Sequence, residues 1–281
     1  GLVYLPAKQE PEIYRLDRTY RDDTPGINFG IDFASPYGEV NELPPEFGET
    51  YQGYLLAWDP VKQEEVWRAA HSTLHNGGVM STAGNLVFQG NIDESFDAYN
   101  AETGEELWSF DAQTSILAPP ISFEVDGEQH IAVAVGYGSS TALWQSDQIN
   151  PDGTKQNISR ILAFRLGGSA VLPDRPELIT ATEPAAEPFC SDEDVEAGRF
   201  AYAANCGGCH GGAARGNNLL PYLRYSAYAA SAEAWNSVVI GGALVDKGMV
   251  SFEARIDPEE AEFIRAYVVD QAHADPDAEA L

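Results

Sequence analysis

The sequence predicts two domains of different class. An all-β part made of repeated blades spans residues 1–168 and an all-α part spans 190–281, with a Pro-rich linker at 169–189 between them. Three observations predict this. A tryptophan-marked unit recurs at an offset of 41 residues, close to the period of propeller blades. Pro173, Pro176, Pro184 and Pro188 then punctuate a stretch rich in Glu and Ala, the composition of a semi-extended connector. Beyond it, two helix-start signatures frame the string Cys206-Gly207-Gly208-Cys209-His210.

In order, Gly1-Leu2-Val3-Tyr4-Leu5 reads as a strand. The stretch from Pro11 to Gly48, rich in Pro, Asp, Glu and Gly, reads as a long surface excursion. The repeat follows. Ala57-Trp58-Asp59 precedes Trp67 and Ala98-Tyr99-Asn100 precedes Trp108, the tryptophan falling ten residues after the alanine each time. Between the two units, 84–90 is a short strand bounded by turn residues. After them, 121–125 and 130–135 flank Asp126-Gly127, a hairpin signal. Ile161-Leu162-Ala163-Phe164-Arg165 repeats the alanine-aromatic-polar opening, but no tryptophan follows. Several short strands per unit at a period near 40 point to propeller blades, although regularly spaced strands also suit a β-sandwich.

In the α part, Ser191 and Asp194 form a capping signature with acids in the first turn. Val195, Gly198 and Tyr202 continue it at helical spacing. Asp257 caps a second helix with Pro258 at its first position, and Phe263, Ile264, Tyr267 and Val268 give it one apolar stripe. The Cys-x-x-Cys-His string between them is the attachment signature of a c-type haem. Two thiols three positions apart each add to a vinyl group of one porphyrin, and the histidine is held under the iron. A zinc half-site or a redox dithiol shares the Cys-x-x-Cys. A zinc site needs further ligands, however, and only Cys190 and His273 lie nearby, in no paired motif; no βαβ pattern surrounds the string. His210 is thus the expected proximal ligand. Met249, 39 residues beyond it, is the expected second axial ligand, a gap-filling core methionine being the alternative.

The net charge of −28, from 44 acidic against 16 basic residues, argues against nucleic-acid binding. It either steers a cationic redox partner or keeps the protein soluble in a salty medium. No run approaches the length of a membrane span. No signal peptide opens the chain and the first residue is glycine, which reads as a processed or cut product. Haem attachment occurs outside the bacterial cytoplasm, so the expected location is periplasmic or secreted. Cys190 is left as a buried thiol or a partner for another chain.

The alanine-aromatic-Asp/Asn…Thr-Gly-Glu…Trp unit resembles the tryptophan-docking motif of eight-bladed pyrroloquinoline quinone (PQQ) dehydrogenases. The string from Asn76-Gly77-Gly78 to Phe88-Gln89-Gly90 is similar to a loop-strand signature of the same proteins. Joined to a C-terminal cytochrome, these motifs resemble the quinohaemoprotein (type II) alcohol dehydrogenases over nearly the whole chain. The resemblance implies the C-terminal blades of an eight-bladed propeller followed by a class I cytochrome c domain. It implies haem c in this chain, and PQQ and Ca²⁺ in the complete enzyme. Pro221 and Arg224, in Leu220-Pro221-Tyr222-Leu223-Arg224, match a segment whose proline carbonyl accepts from the proximal histidine and whose arginine contacts a haem propionate. Asn76, Gly77, Gly138, Ser139 and Ser140 match quinone-lining segments. Two departures stand out: His75 where the family often has tryptophan, and Ser139-Ser140 where it usually has a glycine pair.

At roughly 40 to 45 residues per blade, the β part holds at most four blades. The rest of the propeller is therefore expected in an N-terminal polypeptide of the same enzyme. By resemblance, that part carries the catalytic aspartate and the Ca²⁺ ligands, so no catalytic residue is assigned in this chain. The implied activity is oxidation of an alcohol at PQQ. Electrons would pass to the haem here and on to an external acceptor, such as a small redox protein or a quinone. A cytochrome subunit with a β docking module and no quinone is the alternative.

Overall fold

Among the described residues every strand precedes residue 166 and every α-helix follows residue 191. A computed structural model describes residues 1–10, 16, 52–138, 157–176, 183–216 and 220–274. The excursion expected at 11–48 lies, apart from Leu16, outside them. The chain divides into a unit built on the sheets and a unit built on the helices.

The first unit contains three antiparallel sheets. β1 (Val3–Gln9), β2 (Gln52–Asp59) and β3 (Glu64–Ala70) form one. β4 (Asn76–Ser81), β5 (Leu86–Asn91), β6 (Ser95–Asn100) and β7 (Glu106–Asp111) form the second, in chain order. β8 (Ile121–Val125), β9 (Glu128–Val135) and β10 (Arg160–Arg165) form the third. The sequence repeat is a structural one. In β2–β3 and in β6–β7 the alanine stands opposite the tryptophan, Ala57 to Trp67 and Ala98 to Trp108, with the pairing register shifting just after the alanine. Such bulges sharpen the local twist. The turn between β8 and β9 has Asp126 at φ 54° and Gly127 at φ 81°, the left-handed pair that a two-residue primed hairpin requires.

One buried carboxylate organises the second sheet. Asp97 accepts from Asn91 Nδ2 (2.8 Å), Ser95 Oγ (2.7 Å), Ser109 Oγ (2.6 Å) and the Tyr99 hydroxyl (3.3 Å). Four donors around one acceptor answer the desolvation cost without a cation. The first half of the Pro-rich connector packs on this unit: Leu172 joins its core, and Arg175 makes a bidentate pair with Glu94 (3.1 and 2.6 Å).

In the second unit, α1 (Asp192–Asn205) begins at a full capping box between Ser191 and Asp194. α2 (Gly207–His210) is a single turn, α3 (Ala232–Val239) is capped by Ser231, and α4 (Pro258–His273) starts at Asp257, whose carboxylate accepts from the amides of Glu259 and Glu260. α1 and α4 cross at Gly198. A Cβ there would lie 1.9 Å from the Phe263 carbonyl oxygen, so only glycine permits the approach. The Tyr202 and Tyr267 rings meet at 5.2 Å beside this crossing. Ile264, Val268 and Val269 of α4 are buried in the core together with Trp235 of α3. The end of the connector packs here through Ala185 and Ala186, and His273 Nε2 donates to the Ala186 carbonyl at 3.0 Å. Among the described residues no helix is long and apolar enough to cross a membrane.

Candidate functional site

Cys206 ends α1 and its backbone leads directly into α2, so both cysteines and the histidine lie on one turn. The amides of Cys209 and His210 both donate to the Cys206 carbonyl, at 3.1 and 2.9 Å. Cys206 is buried and Cys209 exposed. Burial pushes the Cys206 thiol up to about 12, so it holds its proton at neutral pH. His210 is buried, with Nδ1 3.1 Å from the Pro221 carbonyl oxygen. A carbonyl only accepts, so Nδ1 carries the proton and Nε2 presents a lone pair. Burial lowers the His210 pKa against the opposing pull of Pro221, which favours the neutral, ligating ring.

Arg224 is buried in the turn Leu223–Tyr225, where Nε donates to Ala213 O (2.7 Å) and an Nη to Gln271 Oε1 (3.2 Å). Met249 is half-buried. Its amide donates to Leu244 O across Gly248, which sits at φ 95°, and the following residues are tied to the end of α3 by Ser251 Oγ to Ile240 O (2.6 Å) and Phe252 N to Val239 O (2.8 Å). Sequence reasoning passed over Trp235. It is 3% exposed and its indole N–H is buried with no partner among the described residues. Leaving a buried donor unmet costs about 1–3 kcal/mol, so the site suits a group that brings acceptor oxygens into an apolar core. A haem, with two propionates on a hydrophobic macrocycle, fits this set of residues. The legible signal was a lone tryptophan on a short amphipathic helix beside the Cys-x-x-Cys-His string.

In the first unit, Asn76 and Gly77 open β4. Gln89, fully buried on β5, holds them: its Nε2 donates to Asn76 Oδ1 and to Gly77 O, both at 3.0 Å, and its Oε1 accepts from His71 Nε2 at 2.9 Å. Gly77 has no room for a side chain, since a Cβ would lie 2.7 Å from Ile116 O. Gly138 lines a cavity of about 150 Å³ with Leu117, Ala134, Gly136 and Ser159. Ser139 and Ser140 lie outside the described residues. His75, just ahead of β4, is 8% exposed and its Nε2 is buried without a partner among the described residues. An unmet polar nitrogen beside Asn76 and Gly77 suits a ligand rich in oxygen atoms, as PQQ is.

Comparison with known proteins matches residues 45–131 to the β-propeller domain of glucose/ethanol/alcohol dehydrogenases and residues 185–268 to subunit III of cbb3-type cytochrome c oxidase. The quinohemoprotein alcohol dehydrogenase ADH IIB of Pseudomonas putida is 38% identical over 98% of this chain and 39% of its own length. The solved quinohemoprotein alcohol dehydrogenase ADHIIG of Pseudomonas putida HK5 superposes with a TM-score of 0.81 at 32% identity, covering 97% of this chain and 40% of that one. The enzyme of the same description from Comamonas testosteroni gives 0.71 at 31% identity, covering 97% and 39%. The chain thus spans about two fifths of the length of the relatives it matches.

Proposed function

Because the chain belongs to the quinohaemoprotein alcohol dehydrogenases, as C-terminal propeller and cytochrome c domain, we propose that it is the electron-accepting part of a periplasmic enzyme that oxidises an alcohol. In this reading the three sheets within residues 1–168 are C-terminal blades of an eight-bladed ring. Residues 169–189 are the connector, and 190–281 are a class I cytochrome c. PQQ with Ca²⁺ would supply the two-electron oxidation chemistry, and the haem held by this chain would supply one-electron acceptance.

The residues of this chain divide the work. Cys206 and Cys209 hold the porphyrin through thioethers. His210 would bind the iron through Nε2, with Pro221 fixing the ring and keeping the proton on Nδ1. Met249 would offer its thioether to the iron, and Arg224 would brace the pocket from the turn Leu223–Tyr225. Histidine–methionine ligation raises the potential of a c-type haem, which suits an acceptor of electrons from a reduced quinone. Asn76, Gly77, Gly138, Ser139 and Ser140 contribute one side of the quinone pocket. The catalytic aspartate and the Ca²⁺ ligands belong to the remainder of the propeller, and an external redox protein or quinone takes the electrons onward.

The observation that carries this reading is the His210 ring, locked on Pro221 with its second nitrogen left over, one turn from two thiols. The protein matured with haem should give the absorption spectrum of a c-type haem that survives denaturation. Met249→Ala should keep the haem attached and lose the long-wavelength charge-transfer band of iron–thioether ligation. An unchanged band would sink the Met249 assignment, and haem that washes out on denaturation would sink the attachment.

A further inference from the structure

We infer that His75, beside Asn76, is a side chain through which this chain hydrogen-bonds the bound quinone. The inference rests on the PQQ reading above and sharpens it.

Asn76 is already engaged at both ends of its amide: Oδ1 accepts from Gln89 Nε2 at 3.0 Å, and Nδ2 donates to the Ala7 carbonyl at 3.3 Å. Gln89 in turn is occupied by Asn76, Gly77 and His71. Gly77 brings no side chain, and its carbonyl is taken by Gln89. These groups form a network that holds the start of β4 in place and leaves Asn76 with one amide N–H and one Oδ1 lone pair to spare. His75 stands next to this network without joining it. The residue is 8% exposed, and among the described residues Nε2 meets no hydrogen-bonding partner. A buried polar nitrogen left in that state is destabilising, and the debt is removed when a partner arrives.

The ring is also the right chemical kind. Burial first, then Lys8, holds its pKa below the ordinary value, with Glu10 opposing, so the neutral form dominates at neutral pH. A neutral imidazole offers one N–H. PQQ presents carboxylate and carbonyl oxygens, all acceptors, and the His75 tautomer with its proton on Nε2 is the complementary donor.

The test uses the full-length protein freed of PQQ and supplied with Ca²⁺. PQQ is titrated against wild type, His75→Phe and His75→Gln, following tryptophan fluorescence, and each is melted with and without PQQ. His75→Phe should bind PQQ about tenfold or more weakly. His75→Gln, which restores an N–H, should recover most of the loss. Without PQQ, His75→Phe should melt at or above the wild-type temperature, because it removes an unmet donor; a residue with a merely structural role would melt lower. Equal PQQ affinity in wild type and His75→Phe would overturn the inference and leave the quinone reading standing. Weakening of both variants alike, with lower melting without PQQ, would overturn it too. Failure of the wild type to bind PQQ would overturn both. A second measurement avoids substitution: the ring-nitrogen resonance of His75 in ¹⁵N-histidine-labelled wild type should move when PQQ is added, and a resonance that stays put counts against the proposal.

Discussion

Trp67 and Trp108 hold the same position in two copies of one repeat, each opposite an alanine beside the same bulge, yet their surroundings differ. Trp67 is 8% exposed. Its indole N–H donates to Ala101 O at 3.0 Å, and its ring lies against Gly104, where a Cβ would come within 2.6 Å. Gly104 belongs to Thr103-Gly104-Glu105 of the following copy, so one unit's tryptophan docks on the next unit's turn. Trp108 is 39% exposed and meets Phe96, Phe110 and Phe164 instead. The third sheet carries the same Ala163-Phe164 pair in its last strand, β10, but the chain continues Arg165-Leu166-Gly167-Gly168, without the Thr-Gly-Glu turn. A docking tryptophan is therefore made by its neighbour as much as by its own motif.

Substitutions at these two positions give the largest expected contrast. Trp67→Ala should cost about 3–5 kcal/mol, as loss of a buried indole does. Trp108→Ala should cost clearly less, about 1–2 kcal/mol, because much of its ring already faces solvent. Denaturant melts of both variants check this, and equal losses would break the comparison. Next in size, Gly198→Ala should destabilise by about 2–3 kcal/mol by forcing α1 and α4 apart. That loss should appear in the haem spectrum and leave the sheets' tryptophan fluorescence unchanged. The smallest effect is on pH dependence. Burial holds the His71 and His75 pKa values below their ordinary 6.5. The unfolded chain therefore binds these protons first, so their contribution is full above about 6.5 and is lost as pH falls below it. His71→Gln, which retains a donor for Gln89, should flatten the acid side of the stability curve, and an unchanged slope would contradict the assignment.

The same contrast separates what the sequence made legible from what it hid. The helical unit's site was readable because its chemistry is local. Two cysteines and a histidine share one turn, and the caps at Ser191 and Asp257 follow from hydrogen-bonding rules over three or four residues. Its hidden member, Trp235, acts through a burial that no local pattern reveals. In the sheet unit, the strands and the β8–β9 turn were readable from alternation and from Asp126-Gly127. The hydrogen-bond network at the start of β4 was not, because it joins distant segments: Gln89 reaches back to Asn76 and His71, and Ala7 of β1 accepts from Asn76. The bonds that hold Asn76 in place were therefore not legible, and His75 stood out in the sequence only as a departure from the family pattern.

The central claim is that the sheet unit serves a quinone whose electrons reach the haem of the helical unit. Stopped-flow spectroscopy of the full-length protein, loaded with PQQ and Ca²⁺ and mixed with a primary alcohol, tests it most directly. The account predicts that the haem absorbance shifts to the reduced form at a rate independent of protein concentration, because the connector keeps both units on one chain. Haem that stays oxidised while an added artificial acceptor is reduced would contradict it.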